Sequence, residues 1–519
     1  MKRRDFIQNL TAAGALAALP PFARPEKKKR PNLLFVFSDQ HSHDLLGCNG
    51  HMQVKTPNFD AFSQQSLNLD SCFSVSPLCT PMRGSLLSGK HPLHNGAYDN
   101  CIRMLDGKGA YFAEVLKQNG YKTAYVGKWH LYGGYWYQPV PAGPYRYGFD
   151  DVFLTNNCDL NYQPDNAYYF DQYTGKRIPF HEWEQDGQTK QALDFLDKAD
   201  EDEPWSLFVS WHPPHNHKNR TSEDYYAYSA PQKYLDLYDY GQIQVRDGTT
   251  PSEQNRRMMH GYMALISSVD DCFGRLMQKL KERGLDENTI VVYTSDHGDL
   301  LKVEQGTPYI KCRAESASSQ IPFMIRAPGM TGAEVRSDLP FGTLDIMPTL
   351  LSMMGIEPPE TCQGRDLSGA LLTGDEQAQK SVPMMMSSLD QWRGAATKDW
   401  IYSYNPYQAK NAGMRTYNVL YNRRTDPHCL KNLFDKPDCR DTQAEMHRIT
   451  QEWMTRFDDP FMPYEALRDA TVDTAELGKE GYIDFWNKSA RGILKQSPIK
   501  AGKQWADGNK PLKHNEIKE

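Results

Sequence analysis

The sequence predicts an α/β protein built on a large, mixed but mostly parallel sheet with helices on both faces. Strand-length apolar runs recur along the chain, and segments with helical periodicity separate them. The ends of the runs add a third observation. Each closes on Asp, His or Lys, and ligands of open α/β sheets bind beyond the carboxyl ends of the strands.

The first run, "PNLLFVFSD" over residues 31–39, is apolar throughout and stops at a polar cluster, the pattern of a strand buried on both faces. The same design returns in "YKTAYVGKWH" around Val126, in "WSLFVSWHPPH" at 205–215 and in "TIVVYTSDHGD" at 289–299. Helices are expected at 110–120, 258–284 and 344–355, with Gly284 closing the second as a C-cap. From about residue 385 the texture changes. "GAATKDWIYSYNP" and "TYNVLYNRRTDP" read as short antiparallel strands, and "AEMHRITQEWMTRFDDPF" as a helix packed on them. The chain therefore divides into a main domain over 31–384, a C-terminal antiparallel-sheet subdomain over 385–465 and a polar extension over 466–519. The stretch from Tyr132 to Tyr173 is rich in Tyr, Trp, Pro and Asn, and is expected to form an aromatic wall of a cleft.

Composition narrows the function classes. A formal charge of -6 gives no support for nucleic-acid binding. Residues 1–30 carry Arg3 and Arg4, a modest apolar stretch and an Ala/Pro-rich end. That segment resembles a twin-arginine export signal, which implies use of the twin-arginine export machinery and a periplasmic or exported protein. No segment offers an ordinary membrane span. The 10 cysteines include no CxxC pair, and Cys429 with Cys439 is a candidate bridge.

"SPLCTPMRGSLLSGK" at 76–90 sets Cys79 between two prolines with Arg83 four residues on. An arginine and a helix start beside a cysteine favour its thiolate as a nucleophile. "CTPMR" also fits the C-x-P-x-R signature of type I sulfatases. "PNLLFVFSDQ", "TPNFDAFSQQS", "GYKTAYVGKWHLYG", "PPH", "YTSDHGD" and "IPFMIRAPG" follow that family's blocks in order and rough spacing. The chain resembles this family from Pro31 to the "LYNRRTDPHCLKNLF" stretch.

The resemblance implies an alkaline-phosphatase-like α/β/α sandwich. It also implies that a maturation enzyme converts Cys79 to formylglycine, whose hydrated aldehyde attacks sulfur through a covalent enzyme-sulfate intermediate. Arg83 then holds the site. Lys128 and Lys311 bind the sulfate, His130 serves the diol, and His215 faces the leaving-group oxygen. Asp39, Gln40, Asp296 and His297 close two strands, and with residue 79 they are expected to ligate one divalent cation. Calcium is the expected ion. Gln40 and His297 depart from the commoner Asp-Asp and Asp-Asn pairs and admit manganese or zinc. His41 and His43 receive no role, nor do His212 and His217. "LLKVEQG" replaces a Gly- and His-containing turn and puts Glu304 at the histidine's place. Asn100, Arg103, Trp392 and Arg393 are candidates for substrate contact. The implied activity is hydrolysis of a sulfate ester, with a sulfated saccharide as the expected substrate. A phosphonate monoester or phosphodiester hydrolase using the same nucleophile, and an inactive sulfated-glycan binder, stay open as alternatives.

Overall fold

A computed structural model describes residues 29–100, 102–104, 110–133, 137–160, 162–217, 228–304, 307–330, 334–388, 391–406, 417–459 and 461. The amino-terminal export segment, apart from its last two residues, and the extension from 466 lie outside the described residues. Its largest sheet has eight strands, in the order Val335–Ser337, Leu67–Leu69, Phe323–Arg326, Thr289–Ser295, Asn32–Asp39, Trp205–Pro214, Lys122–Gly127 and Val152–Leu154. Only Phe323–Arg326 runs antiparallel to its neighbours in that sheet. The four runs identified in the sequence are its four adjacent central strands, all parallel.

Burial on both faces explains their near-continuous apolar sequence. Phe35 lies between Phe208 and Val292 in register. Leu33, Phe35 and Phe37 enter one core layer, which includes Met82, Leu86, Ile346 and Leu350 of the helices Cys79–Ser88 and Thr343–Met353. Leu34 and Val36 enter the other layer, against Ala192 and Leu196 of Glu184–Lys198 and Val269, Phe273 and Leu276 of Glu253–Glu282. Alternation along the strand thus feeds two layers. Each such fully buried side chain contributes roughly 1.5–3 kcal/mol.

The long helix starts five residues before the expected position, because Ser252 caps it through a bond from Asn255 N to its Oγ at 3.1 Å. Its polar first turn resembles a loop in sequence. At the other end Gly284, at φ 62°, donates to Lys281 O, and Leu285 N donates to Leu280 O. The expected C-cap is therefore a Schellman turn, which favours glycine in the left-handed position.

A second, antiparallel sheet contains Val382–Met386, Trp392–Ala396, Trp400–Tyr404 and Val419–Asn422. The helix Arg440–Arg456 packs on it through Met446, beside Ala395, Tyr402 and Leu420. Cys429 and Cys439 are both free, which corrects the suggested bridge. Ser316 approaches the Cys429 sulfur at 3.4 Å through both its N and Oγ, whereas Cys439 packs beside Leu433 in a different cluster. The aromatic wall is also corrected. Tyr132, Tyr137, Tyr147, Phe149, Phe153, Tyr168 and Phe170 are buried in the main core rather than facing a cleft. Among the described residues, no helix is long and apolar enough to cross a membrane.

Candidate active site

Cys79 is the first residue of a ten-residue helix, so its side chain sits at the positive end of the helix dipole. Pro81 is tolerated because the first-turn N–H groups have no intrahelical partner. Arg83 follows one turn later on the same face. The helix start is fixed from outside: Thr80 N donates to Asn100 Oδ1 at 3.0 Å, and Thr80 Oγ1 donates to His130 O at 2.9 Å. Asn100 thereby positions the nucleophile helix.

The central strands deliver the other groups to this point. Gln40, at φ 68°, turns the chain after Asp39, and its backbone N donates to Asp296 Oδ1 at 2.9 Å. Gly127, at φ 107°, ends the strand before Lys128, where an added Cβ would lie 2.0 Å from Ser210 O. Only glycine fits that close approach. The stretch carrying "LLKVEQG" forms the hairpin Lys302–Glu304 against Thr307–Tyr309, just before Lys311. The expected role of the Glu304 side chain lies outside the described residues.

Around the Cys79 sulfur stand His297 Nε2 at 3.3 Å, Lys311 Nζ at 3.4 Å and Asp39 Oδ1 at 3.8 Å. Lys311 Nζ is 2.8 Å from His215 Nε2, and His215 Nδ1 donates to Asn216 O at 2.6 Å. Lys128 Nζ donates to Asp39 Oδ2. Asp39, Cys79, Asp296 and His297 are fully buried and present ligand atoms within 4.8 Å of one another.

Arg83 binds this ring from beneath. Its Nε and Nη2 donate to Asp296 Oδ2 at 3.1 and 3.0 Å, and Nη2 also donates to Asp39 Oδ2 at 3.1 Å. Nη1 donates to Lys128 O and Ser210 Oγ, both at 2.8 Å. All five N–H groups are used, so the guanidinium holds both carboxylates and orients their remaining oxygens.

Electrostatics follow from this packing. Burial pushes the Cys79 thiol up, but Lys128, Lys311 and His297 together bring it well below the ordinary range. Burial also raises Asp39, and Cys79 adds to this, yet Lys128, His215 and Arg83 leave it strongly lowered. Asp296 is raised by burial and then by neighbouring Asp39. Burial brings both His130 and His215 down to about 4, so each is neutral near pH 7. The result is a buried site that favours the ionised sulfur and holds fixed cations and two neutral imidazoles, a setting that stabilises charge on a transferring oxyanion.

The sulfatase family model matches residues 31–356. The chain belongs to the type I sulfatase family. An ulvan-active sulfatase of Formosa agariphila is 31% identical over 84% of this chain and 83% of its own length. An endo-4-O-sulfatase of Bacteroides thetaiotaomicron is 27% identical over 89% of this chain and 99% of its own. The crystal structure of a putative sulfatase from Bacteroides fragilis superposes with a TM-score of 0.72 at 27% identity, covering 85% of this chain and 99% of that one. The fold is also that of a phosphonate monoester hydrolase from Agrobacterium radiobacter, at a TM-score of 0.64 and 18% identity over 82% of this chain and 96% of that one.

In this sulfatase the buried Asp/Cys/Asp/His cluster is of the type that holds a metal beside a formylglycine. Gln40 supports that fit. Its Nε2 donates to Asp299 Oδ2 at 2.6 Å and to Asn216 Oδ1 at 3.3 Å, while its buried Oε1 has no partner. A buried amide oxygen without a donor is costly unless a cation or water meets it.

Not every expected substrate contact reaches the pocket. Trp392 is 0% exposed and donates through Nε1 to Cys312 O at 3.0 Å. Arg393 is 1% exposed and paired with Asp459. Both are buried and held by partners within the protein. The Asp459 partner lies 66 residues away, so the pairing had no local signal. Arg393→Met is therefore expected to cost about 3–5 kcal/mol by leaving Asp459 buried and unpaired, with kcat/KM of the folded protein unchanged. Denaturant melts alongside initial rates check this, and a raised KM would return Arg393 to the substrate. Arg103 stacks its guanidinium 4.6 Å over the Tyr145 ring.

His41 is a satisfied core residue, bonded to Tyr293 OH at 2.7 Å and Leu45 O at 3.0 Å. His43 is half-buried, 3.8 Å from Asp70. His212 pairs with Glu184 at 2.9 Å, and His217 lies 3.3 Å from Gln163 Nε2. Sequence reasoning missed Asp299, which accepts from Gln40 Nε2 and from Tyr228 OH at 2.5 Å. Its only signal was its place in "SDHGD". Tyr262 was missed as well: its hydroxyl donates to Gln40 O and lies 3.0 Å from Ser42 N.

Proposed function

We propose that this sulfatase removes sulfate from a sulfated glycan, with Cys79, once converted to formylglycine, as nucleophile. The observation that carries the proposal is the convergence on residue 79 of Arg83, Lys128, His130, His215 and Lys311 with the cluster Asp39, Asp296 and His297. The glycan rests on relatives: an ulvan-active sulfatase, an endo-4-O-sulfatase and an N-acetylglucosamine-6-O-sulfatase. Sugar identity, sulfate position and endo or exo action belong to the experiment.

Hydrated formylglycine supplies an oxygen nucleophile at residue 79. Asp39, Gln40, Asp296 and His297 would hold the divalent cation, calcium in the converted enzyme, because conversion replaces sulfur by hard oxygen donors. When bound, the cation adds Lewis-acid charge beside the reacting oxygens. Lys128 and Lys311 neutralise sulfate oxygens, and each ammonium is held by a partner: Asp39 for Lys128 and His215 for Lys311. The Lys311 ammonium donates to His215 Nε2 across 2.8 Å and supplies the proton for a departing alkoxide, a poor leaving group without that help. Neutral His130 hydrogen-bonds residue 79 and accepts the proton from its second hydroxyl as the site resets. Arg83 touches no substrate and positions both acids.

Maturation by a formylglycine-generating enzyme, followed by twin-arginine export to the periplasm or beyond, fits the amino-terminal sequence. Two measurements on protein from a maturation-competent host test the proposal. Peptide mass spectrometry across Cys79 should show loss of sulfur and two hydrogens and gain of one oxygen. Defined sulfated oligosaccharides should release sulfate faster than matched esters release phosphate or phosphonate. Predominant phosphorus-ester cleavage would make the chain a phosphonate or phosphodiester hydrolase, and modified protein inert on both would sink catalysis.

A further inference from the structure

We propose that the unconverted chain, still carrying Cys79, is a thiolate zinc site. In it Cys79 Sγ, His297 Nε2, Asp39 Oδ1 and Asp296 Oδ1 take one Zn²⁺, and conversion of Cys79 removes the donor that favours zinc. This rests on the reading of Cys79 as the residue that becomes formylglycine.

Four donors of mixed softness meet at one point. Sγ is 3.3 Å from His297 Nε2 and 3.8 Å from Asp39 Oδ1. His297 Nε2 is 3.8 Å from Asp39 Oδ1 and 3.6 Å from Asp296 Oδ1. Zinc–ligand bonds of about 2.0–2.3 Å in a tetrahedron imply donor separations of about 3.3–3.7 Å; these four separations lie close to that range, and all the donor atoms lie within 4.8 Å of one another. The donors are also oriented as ligands. His297 Nδ1 donates to Gly298 O at 3.0 Å, so Nε2 faces the cluster and offers its lone pair once its proton leaves with metal binding. Asp39 Oδ2 is occupied by Lys128 and Arg83, and Asp296 Oδ2 by Arg83. Both Oδ1 atoms belong to the donor cluster, and Asp296 Oδ1 also accepts from Gln40 N and His297 N, each at 2.9 Å.

Donor chemistry selects the metal. A thiolate with an imidazole suits zinc and is a poor environment for calcium, which takes oxygen ligands. An amide in place of His297 would supply oxygen instead of nitrogen, so this histidine gives the precursor its zinc character. The fixed charges balance before the ion enters. The thiolate and two carboxylates face Lys128, Lys311 and Arg83, leaving the added Zn²⁺ charge as the net excess. Binding transfers no electrons, and any proton on the thiol is released to solvent. With its sulfur on zinc, Cys79 is shielded from thiol reagents.

The test uses full-length chain made without a maturation enzyme, confirmed by mass to retain Cys79 and stripped with a chelator. Co²⁺ alone should produce a sulfur-to-cobalt charge-transfer band, and Zn²⁺ should displace it at one equivalent. Zn²⁺ should slow alkylation of Cys79, read by peptide mass spectrometry, by at least about tenfold, while Ca²⁺ should not. Cys79→Ser should lack the band, and His297→Asn should weaken zinc binding by about 10–100-fold. Absence of the band, or alkylation equally fast with and without Zn²⁺, overturns the proposal. The alkylation test uses the unmutated chain, so a variant that fails to fold does not blunt it. Zinc protection of the precursor without sulfate release by converted enzyme would sink only the proposed function. Sulfate release without zinc protection would sink only this inference.

Discussion

Arg83→Lys is expected to lower sulfate release by at least about 1000-fold while leaving a folded, less stable protein. Arginine satisfies five acceptor positions here: Asp296 twice, Asp39, Lys128 O and Ser210 Oγ. An ammonium has three donors on a shorter reach and no planar fork. At least two of these five bonds are lost, and both carboxylates lose the orientation that holds their Oδ1 atoms in the cluster at residue 79. Breaking such a buried network costs about 3–5 kcal/mol. Metal affinity should fall about 10–100-fold, because Arg83 orients the ligating acids from outside. Three readouts separate positioning from bulk destabilisation: a denaturant melt, metal titration and the rate per folded molecule at saturating metal. Full activity per folded molecule would show that Arg83 only holds the fold together.

The central sheet was legible because burial on both faces leaves a strong signature, and strand ends in parallel sheets share one edge. Asp39, Lys128, His215 and Asp296 therefore converge as their positions suggested. Cys79 and Arg83 share a face because they are four apart in a helix. Networks between distant segments were not legible. Gln40 meets Asp299 across 259 positions, and no local pattern announces the pair. The stretch from Tyr132 misled for a different reason. Tyrosine has an apolar ring and a polar tip, so its abundance does not say whether it lines a cleft or fills a core. Tyr147, at 0% exposure, fills the core, with its hydroxyl donating to Met104 O at 2.9 Å.

Lys311→Ala should separate catalysis from stability in the opposite way. Lys311 sits on the loop after a short hairpin, and its ammonium is 3.4 Å from Sγ and 2.8 Å from His215. Among the described residues no carboxylate lies within ion-pair distance of it, unlike Lys128, which is bound to Asp39. Removing Lys311 leaves no carboxylate stranded, so stability should change by about 0.5 kcal/mol or less. The rate should still fall about 100–1000-fold, since one cation that meets the transferring sulfate is gone. Two effects of the loss can be told apart by leaving group. Weakened sulfate binding slows all esters alike, whereas loss of the ammonium proton beside His215 slows alkyl esters more than aryl esters, because a phenolate leaves without protonation. A larger loss on alkyl than on aryl sulfates would assign the Lys311–His215 pair to the leaving group. An equal loss on both would confine Lys311 to holding the sulfate.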